Sequence, residues 1–178
     1  LDATRTAETL AALRPTHVIN TAAWNLVDRA EDEPQAAFAL NGDAVGTLAA
    51  TCEQIGATLV HFSTDYVFDG AKRTPYAEDD TPNPLSAYGE SKLAGERLAR
   101  ERCGRTVLIR VAALFGIAGS AGKGGSNFVE TMLRAAGAGR ALRVVADQVT
   151  APSYTRDVAR AVWGIVASGR PGLYHVSG

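Results

Sequence analysis

Methionine occurs once, and cysteine, lysine and histidine two or three times each, in a chain of 178 residues, so several kinds of chemistry are short of material. Cys52 and Cys103 fall in separate predicted helices, with neither metal-ligand spacing nor a disulfide pattern, which fits a reducing cytoplasm. His17, His61 and His175 are dispersed over three predicted strands with no His-x-x-x-His or carboxylate spacing, so they read as structural and no metal is expected. No apolar run is long enough to span a membrane, and no basic-then-apolar leader opens the chain. A net charge of −1 and a pI near 6.3 provide no positive field for nucleic acid or acidic membranes. Absent too is a Gly-x-x-Gly-x-x-Gly loop after a first strand, the usual cradle for a dinucleotide. With no initiator Met and Leu1 leading almost directly into a helix, the expectation is a fragment, or a sequence whose natural beginning is missing.

What is present is ordinary for a globular protein: 46% hydrophobic and 21% charged residues, enough for one domain with a sizeable core or a domain plus a small lobe. Small-molecule partners are the expectation. Asp2 or Thr4 can cap a helix over 5–13 that Pro15 stops. A strand at 17–20 runs into Thr21-Ala22-Ala23, small residues that allow either a flat ligand or a packed helix to approach the backbone. An acidic helical turn at 28–33 precedes a helix from Pro34 to about Ile55, with Asn41 inside it. Further strands are predicted at 58–63, 106–111, 142–145 and 173–176, and further helices from Tyr88 to about Arg102, at 127–138 and at 155–167. Strands alternating with helices at this spacing mean a parallel, doubly wound sheet. The glycine-rich Gly116–Gly125 reads as a mobile connector and not a phosphate loop, since Lys123 is followed by Gly124 in place of Ser or Thr. Glu78, Asp79 and Asp80 read as a solvated loop.

The chemistry concentrates between His61 and Leu98. An apolar strand ends in Ser63-Thr64-Asp65, a proline-rich loop follows, and a helix opens with Tyr88 and Lys92. At a spacing of four, those two side chains stand on one helix face. An ammonium beside a phenol is expected to lower its pKa from about 10, fitting it for proton transfer to a sugar or alcohol oxygen. Thr64 can hydrogen-bond the same oxygen if the fold brings the strand end beside the helix. A lone Tyr-x-x-x-Lys on a solvated helix explains the spacing equally well; the flanking strand and loop favour the functional reading.

The segment Ser63-Thr64-Asp65-Tyr66-Val67-Phe68-Asp69-Gly70, followed by Tyr88-Gly89-Glu90-Ser91-Lys92-Leu93-Ala94-Gly95-Glu96, resembles the dTDP-4-dehydrorhamnose reductases of the extended short-chain dehydrogenase/reductase superfamily. Asn20 to Trp24, Val27 to Glu31, Asn127-Phe128, and Asp147-Gln148 with Pro152 follow in the family's order and carry the likeness over nearly the whole chain. The resemblance implies a Rossmann-like sheet lacking its N-terminal strands, with a partial dinucleotide-binding domain over 1–115 and part of a small substrate-binding lobe over 116–178. It also implies NADPH or NADH as cofactor, a nucleotide-linked 4-keto-6-deoxysugar as substrate, and allows a homodimer of a full-length protein. By the same carry-over, Thr64, Tyr88 and Lys92 are catalytic, and Lys92 also bonds the nicotinamide ribose. Asp2, Ala22, Ala23 and Trp24, with Tyr88 and Lys92, line the cofactor, and Thr64, Asp65, Asn127 and Gln148 hold the sugar nucleotide. Asn41 supports the active-site backbone or a proton relay.

One departure stands out: where the family usually has Arg-Thr-Ser-Trp after a strand, this chain has Arg110-Val111-Ala112-Ala113, which puts the rhamnose precursor in doubt and makes another keto-sugar plausible. Tyr66 stands where related dehydratases carry a glutamate, which argues against dehydration. Epimerases share the Tyr-Lys pair. A non-catalytic binding protein, similar to the regulatory beta subunit of methionine adenosyltransferase, is the alternative of a different class.

Overall fold

The computed structural model describes residues 2–117 and 127–178. Its centre is a sheet of four parallel strands in the order β1 (His17–Asn20), β2 (Thr58–Thr64), β3 (Thr106–Val111), β6 (Gly172–Val176). Helices cover both faces, which is the doubly wound α/β architecture expected from the alternation of elements. The near-continuous apolar runs of β2 and β3 follow directly, because neighbouring residues point to opposite faces and both faces are dry. On one face Leu59 and Leu108 pack with Val45, Ala49, Cys52 and Ala99 from α4 (Ala44–Ile55) and α5 (Ala87–Arg102). On the other, Val60, Val107 and Ile109 meet Val158 and Val162 of α7 (Thr155–Ala167). Each Leu, Ile or Val among them, when fully buried, contributes about 1.5–3 kcal/mol.

Local chemistry sets the ends of the helices. The Asp2 carboxylate accepts from the Arg5 amide to cap α1 (Ala3–Leu13), and Arg14 closes that helix in the left-handed conformation, with φ 46°. Pro34 opens α3 (Pro34–Phe38), which runs through a π-helical turn (Ala39–Asp43) into α4. The long helix expected from Pro34 to Ile55 is therefore continuous but bulged at Asn41, and α2 (Val27–Asp32) precedes it. Ser86 caps α5 by accepting from the Gly89 amide.

Three differences from the sequence reading concern the C-terminal part. Residues 142–145 form no strand: Leu142, Val144 and Val145 are 47%, 56% and 67% exposed, and a short apolar run becomes a strand only where a neighbour accepts it. A pairing not expected forms instead between β4 (Leu114–Phe115) and β5 (Ser153–Tyr154), after Ala113, at φ 36°, bends the chain away from β3. The boundary at residue 115 does not divide the sheet either. α7 and β6 complete it, because Val158, Val162 and Val176 belong to its second core, whereas α6 (Phe128–Gly137) buries no residue. Most of the Gly116–Gly125 stretch, Lys123 included, lies outside the described residues. No helix among the described residues is long and apolar enough to cross a membrane.

Candidate active site

In a parallel sheet the carboxyl ends of the strands form the edge where ligands sit. Thr64 is the last residue of β2 and is buried; its hydroxyl donates to Asp65 Oδ1 at 3.1 Å and accepts from the Tyr66 amide at 3.2 Å. The chain then turns through a single 3-10 turn (Asp65–Val67), and the first turn of α5 lies against it. Gly89 makes that approach possible: a Cβ there would lie 2.3 Å from the Tyr66 carbonyl oxygen. Tyr88 is thereby set beside Thr64, whose hydroxyl favours the phenolate, and edge-on to Tyr66 with ring centroids 5.6 Å apart.

Lys92, one turn further, is 2% exposed, and its Nζ donates to the Phe62 carbonyl at 2.6 Å. Burial lowers its pKa to about 8, against the opposing pull of Glu96. For Tyr88 the direction is opposite to the sequence expectation. Burial raises the phenol pKa, the Asp65 and Tyr66 side chains raise it further, and only the Thr64 hydroxyl works the other way. Spacing along a helix brought Tyr88 and Lys92 to one side, but the Lys92 ammonium is committed to a backbone carbonyl and desolvation decides the phenol's pKa. Asp65 is also raised, by burial, although the Thr64 and Thr150 hydroxyls donate to it.

Two asparagines hold the segment after β1. Asn20 Oδ1 accepts from the Ala22 amide at 3.1 Å. Asn41, fully buried in the π-helical turn, accepts from the Trp24 amide at 2.9 Å and donates to the Trp24 carbonyl at 3.1 Å. Its amide also donates to Ser91 Oγ at 2.9 Å, and Ser91 in turn donates to the Tyr88 carbonyl at 2.7 Å, so one polar chain joins Trp24 to the Tyr88 turn. Gly95 admits this contact, since a Cβ there would lie 2.0 Å from the Asn41 carbonyl oxygen. Ala22 is exposed and Ala23 half-buried, leaving open backbone at the strand end, and Trp24 Nε1 is buried without a partner among the described residues.

The remaining sequence candidates separate. Gln148 Nε2 donates to the Tyr66 hydroxyl at 3.3 Å, which puts the segment between α6 and β5 over the Asp65–Tyr66 turn. Thr150, for which the sequence carried no signal, reaches Asp65 at 3.3 Å. The hydrogen bonds of Asn127 run elsewhere: it caps α6 by accepting from Glu130, and it donates to the Gly116 carbonyl. Asp2 caps α1 at the edge of a groove of about 370 Å³ lined also by Arg5, Thr6, Thr9, Leu10 and Leu48. Among the described residues no group of three or more His, Cys, Asp or Glu side chains could hold a metal ion.

A buried ion pair anchors the far side of α5. Arg110 of β3 meets Glu96 through two parallel bonds of 2.8 and 2.6 Å, with the guanidinium 5.0 Å over the Phe68 ring. Sequence reading missed this pair, because an Arg inside an apolar strand and a Glu on a helix are unremarkable until the two elements pack.

Residues 1–178 match the family described as RmlD substrate binding domain. The spore coat polysaccharide biosynthesis protein SpsK of Bacillus subtilis is 44% identical over 92% of this chain and 56% of its own length. The dTDP-4-dehydrorhamnose reductase of Escherichia coli is 39% identical over 96% of this chain and 56% of its own. Among solved structures, a dTDP-4-dehydrorhamnose reductase of Bacillus anthracis in complex with NADP superposes with a TM-score of 0.92 at 34% identity, over 99% of this chain and 61% of that one. The chain thus spans about half the length of the curated relatives it matches.

Proposed function

Since the chain belongs to the RmlD substrate-binding-domain family, we propose that it carries the proton-donating half of an NAD(P)H-dependent reductase acting on a nucleotide-linked 4-keto-6-deoxysugar, dTDP-4-dehydrorhamnose first among them. The observation that carries this reading is the convergence of Thr64, Asp65, Tyr88 and Lys92 at the carboxyl end of β2. The comparisons support it through relatives named as dTDP-4-dehydrorhamnose reductases and a neighbour solved with NADP.

The residues fit a dinucleotide. Ala22 and Ala23 present small side chains and open backbone at the end of β1, beside the orphaned Trp24 Nε1. Lys92 spends one of its three N–H donors on Phe62, which leaves donors for a ribose. Asp2, Ala22, Ala23, Trp24, Tyr88 and Lys92 are the residues assigned to it, and the bound cofactor supplies the hydride. No Gly-x-x-Gly-x-x-Gly follows β1, and the only such spacing in the chain, over 116–125, comes after β4, so these residues make up part of a dinucleotide surface.

The chain's own residues manage the proton. Burial and Asp65 keep the Tyr88 phenol protonated at neutral pH, so it serves as the acid that protonates the oxygen developing at the reduced carbon. Turned away from Asp65 Oδ1, the Thr64 hydroxyl donates to that oxygen beside the phenol. Asp65 and Gln148 face the sugar, and Asn127 is assigned to it by the family resemblance alone, since its own bonds go to Glu130 and Gly116. Buried free thiols at Cys52 and Cys103 fit the reducing cytoplasm.

The full-length gene product carrying Tyr88→Phe tests the reading. Its kcat should fall by about 10²–10⁴-fold with cofactor affinity nearly unchanged, because the ring is kept and only the hydroxyl is lost; unaltered turnover rejects Tyr88 as the acid. Ala113, standing where the family usually has tryptophan, supports a second choice of sugar. A relative from Streptomyces niveus, 38% identical, is named a dTDP-4-keto-6-deoxy-D-glucose reductase. Comparing kcat/KM for the two keto-sugars separates the readings, and the larger value identifies the substrate.

A further inference from the structure

The mechanism leaves His61 unused, although it is fully buried and lies on β2 directly across from Asn20 of β1. We infer that His61 is a positioning residue for the Ala22–Trp24 segment: as a neutral imidazole carrying its proton on Nε2, it locks Asn20 and, through Asn20, the Ala22 amide. The inference rests on the proposed cofactor role of that segment.

Hydrogen-bond polarity decides the protonation. The Ala22 amide can only donate, so the Asn20 atom facing it, at 3.1 Å, is the carbonyl oxygen. The amide nitrogen of Asn20 therefore faces His61 Nδ1, at 3.1 Å, as a donor. Nδ1 must accept, which an imidazolium cannot do, and the ring proton belongs on Nε2. Burial, and next the Lys92 ammonium, push the imidazole pKa well below its ordinary value, in agreement with a neutral ring.

Nε2 has no partner among the described residues, as Ser63 Oγ, two residues along the same face of β2, also has none. An orphaned buried N–H works against stability. An apolar side chain at this fully buried position would avoid that cost, so what the imidazole supplies is its Nδ1 acceptor. Asn20 and His61 thus fix the start of the segment, and Asn41 fixes its end at Trp24. Positioned from both ends, the backbone between them meets a ligand with its geometry already set.

The test uses the full-length gene product. Nitrogen NMR of the imidazole in the unaltered protein should show the Nε2–H tautomer at neutral pH; an Nδ1–H tautomer or an imidazolium overturns the inference without any variant. His61→Leu removes the acceptor, whereas His61→Asn replaces it with a carbonyl oxygen near the Nδ1 position. His61→Leu should raise the exchange rate of the Ala22 amide and the KM for NAD(P)H each about tenfold, the equivalent of one lost hydrogen bond, at nearly constant kcat. His61→Asn should restore both. If His61→Leu fails to fold, the tautomer and the His61→Asn values decide. Unchanged Ala22 exchange in a folded His61→Leu overturns the positioning role; freed Ala22 with an unmoved cofactor KM removes the cofactor assignment of the segment, leaving the reductase reading to the Tyr88 test.

Discussion

Helix α5 carries two buried charges one turn apart, and the regions around them treat charge differently. Near the site, Lys92 is buried against a backbone carbonyl, with no carboxylate in hydrogen-bond contact among the described residues, and its pKa is lowered to about 8. On the far side, Glu96 is equally buried but meets Arg110 through two bonds, and the two side chains are 4% and 5% exposed. Full pairing lets a charge stay buried, whereas burial of an ammonium without a hydrogen-bonded counter-charge loosens its hold on the proton. The second half of α5 is built to anchor, and the first half holds an ammonium whose protonation is open to change beside a phenol that burial keeps protonated.

The largest effect expected from this contrast is at the anchor. Glu96→Gln strands the Arg110 guanidinium and should cost about 3–5 kcal/mol in urea unfolding. Replacing both partners, as Arg110→Met with Glu96→Leu, should return most of that loss. A small cost for the single variant would break the comparison.

Lys92 should behave in the opposite sense. Its folded pKa, about 8, lies below the unfolded 10.5, so the unfolded chain binds the proton more readily and stability rises as pH climbs through that window. Below pH 8 the full penalty applies. Lys92→Met should therefore stabilise the protein there, by up to roughly 3 kcal/mol at 1.36 kcal/mol per unit, with the gain fading between pH 8 and 10.5. Melting temperatures across that range measure it, and a pH-independent difference removes the burial argument.

The smallest effect extends the comparison to a half-buried surface charge. Asp69 accepts from the Tyr76 hydroxyl, the Asn83 amide and the Ala71 backbone, and these bonds lower its pKa from 3.8 to about 2. Its contribution is present above the unfolded pKa and is lost as pH falls toward 2. Asp69→Asn should lower the melting temperature modestly at pH 7, with the difference closing on acidification. A difference that persists at pH 2 would mean that side-chain shape and not charge orders the loop.

Much of this fold is legible in the sequence, for local reasons. Pro34, Pro15 and the Asp2 cap act within a turn of where they stand, and the apolar runs of β2 and β3 announce strands buried on both faces. The 142–145 run failed as a strand because its apolar character is local while a strand's partner is not. Asn41 was visible as a candidate, but its grip on Trp24 depends on a π-helical turn and on the absence of a side chain at Gly95.

The sequence by itself determined the alternation that makes a parallel doubly wound sheet, the helix ends, and the one-face placement of Tyr88 and Lys92, because each follows from chain period and local hydrogen bonding. Only the tertiary structure decided that Asn20 meets His61, that Arg110 meets Glu96, that Thr150 reaches Asp65, and that the Tyr88 pKa rises where an adjacent lysine would lower it. Those outcomes depend on which groups lose water and which partners arrive from distant parts of the chain, and desolvation has no signature in residue spacing.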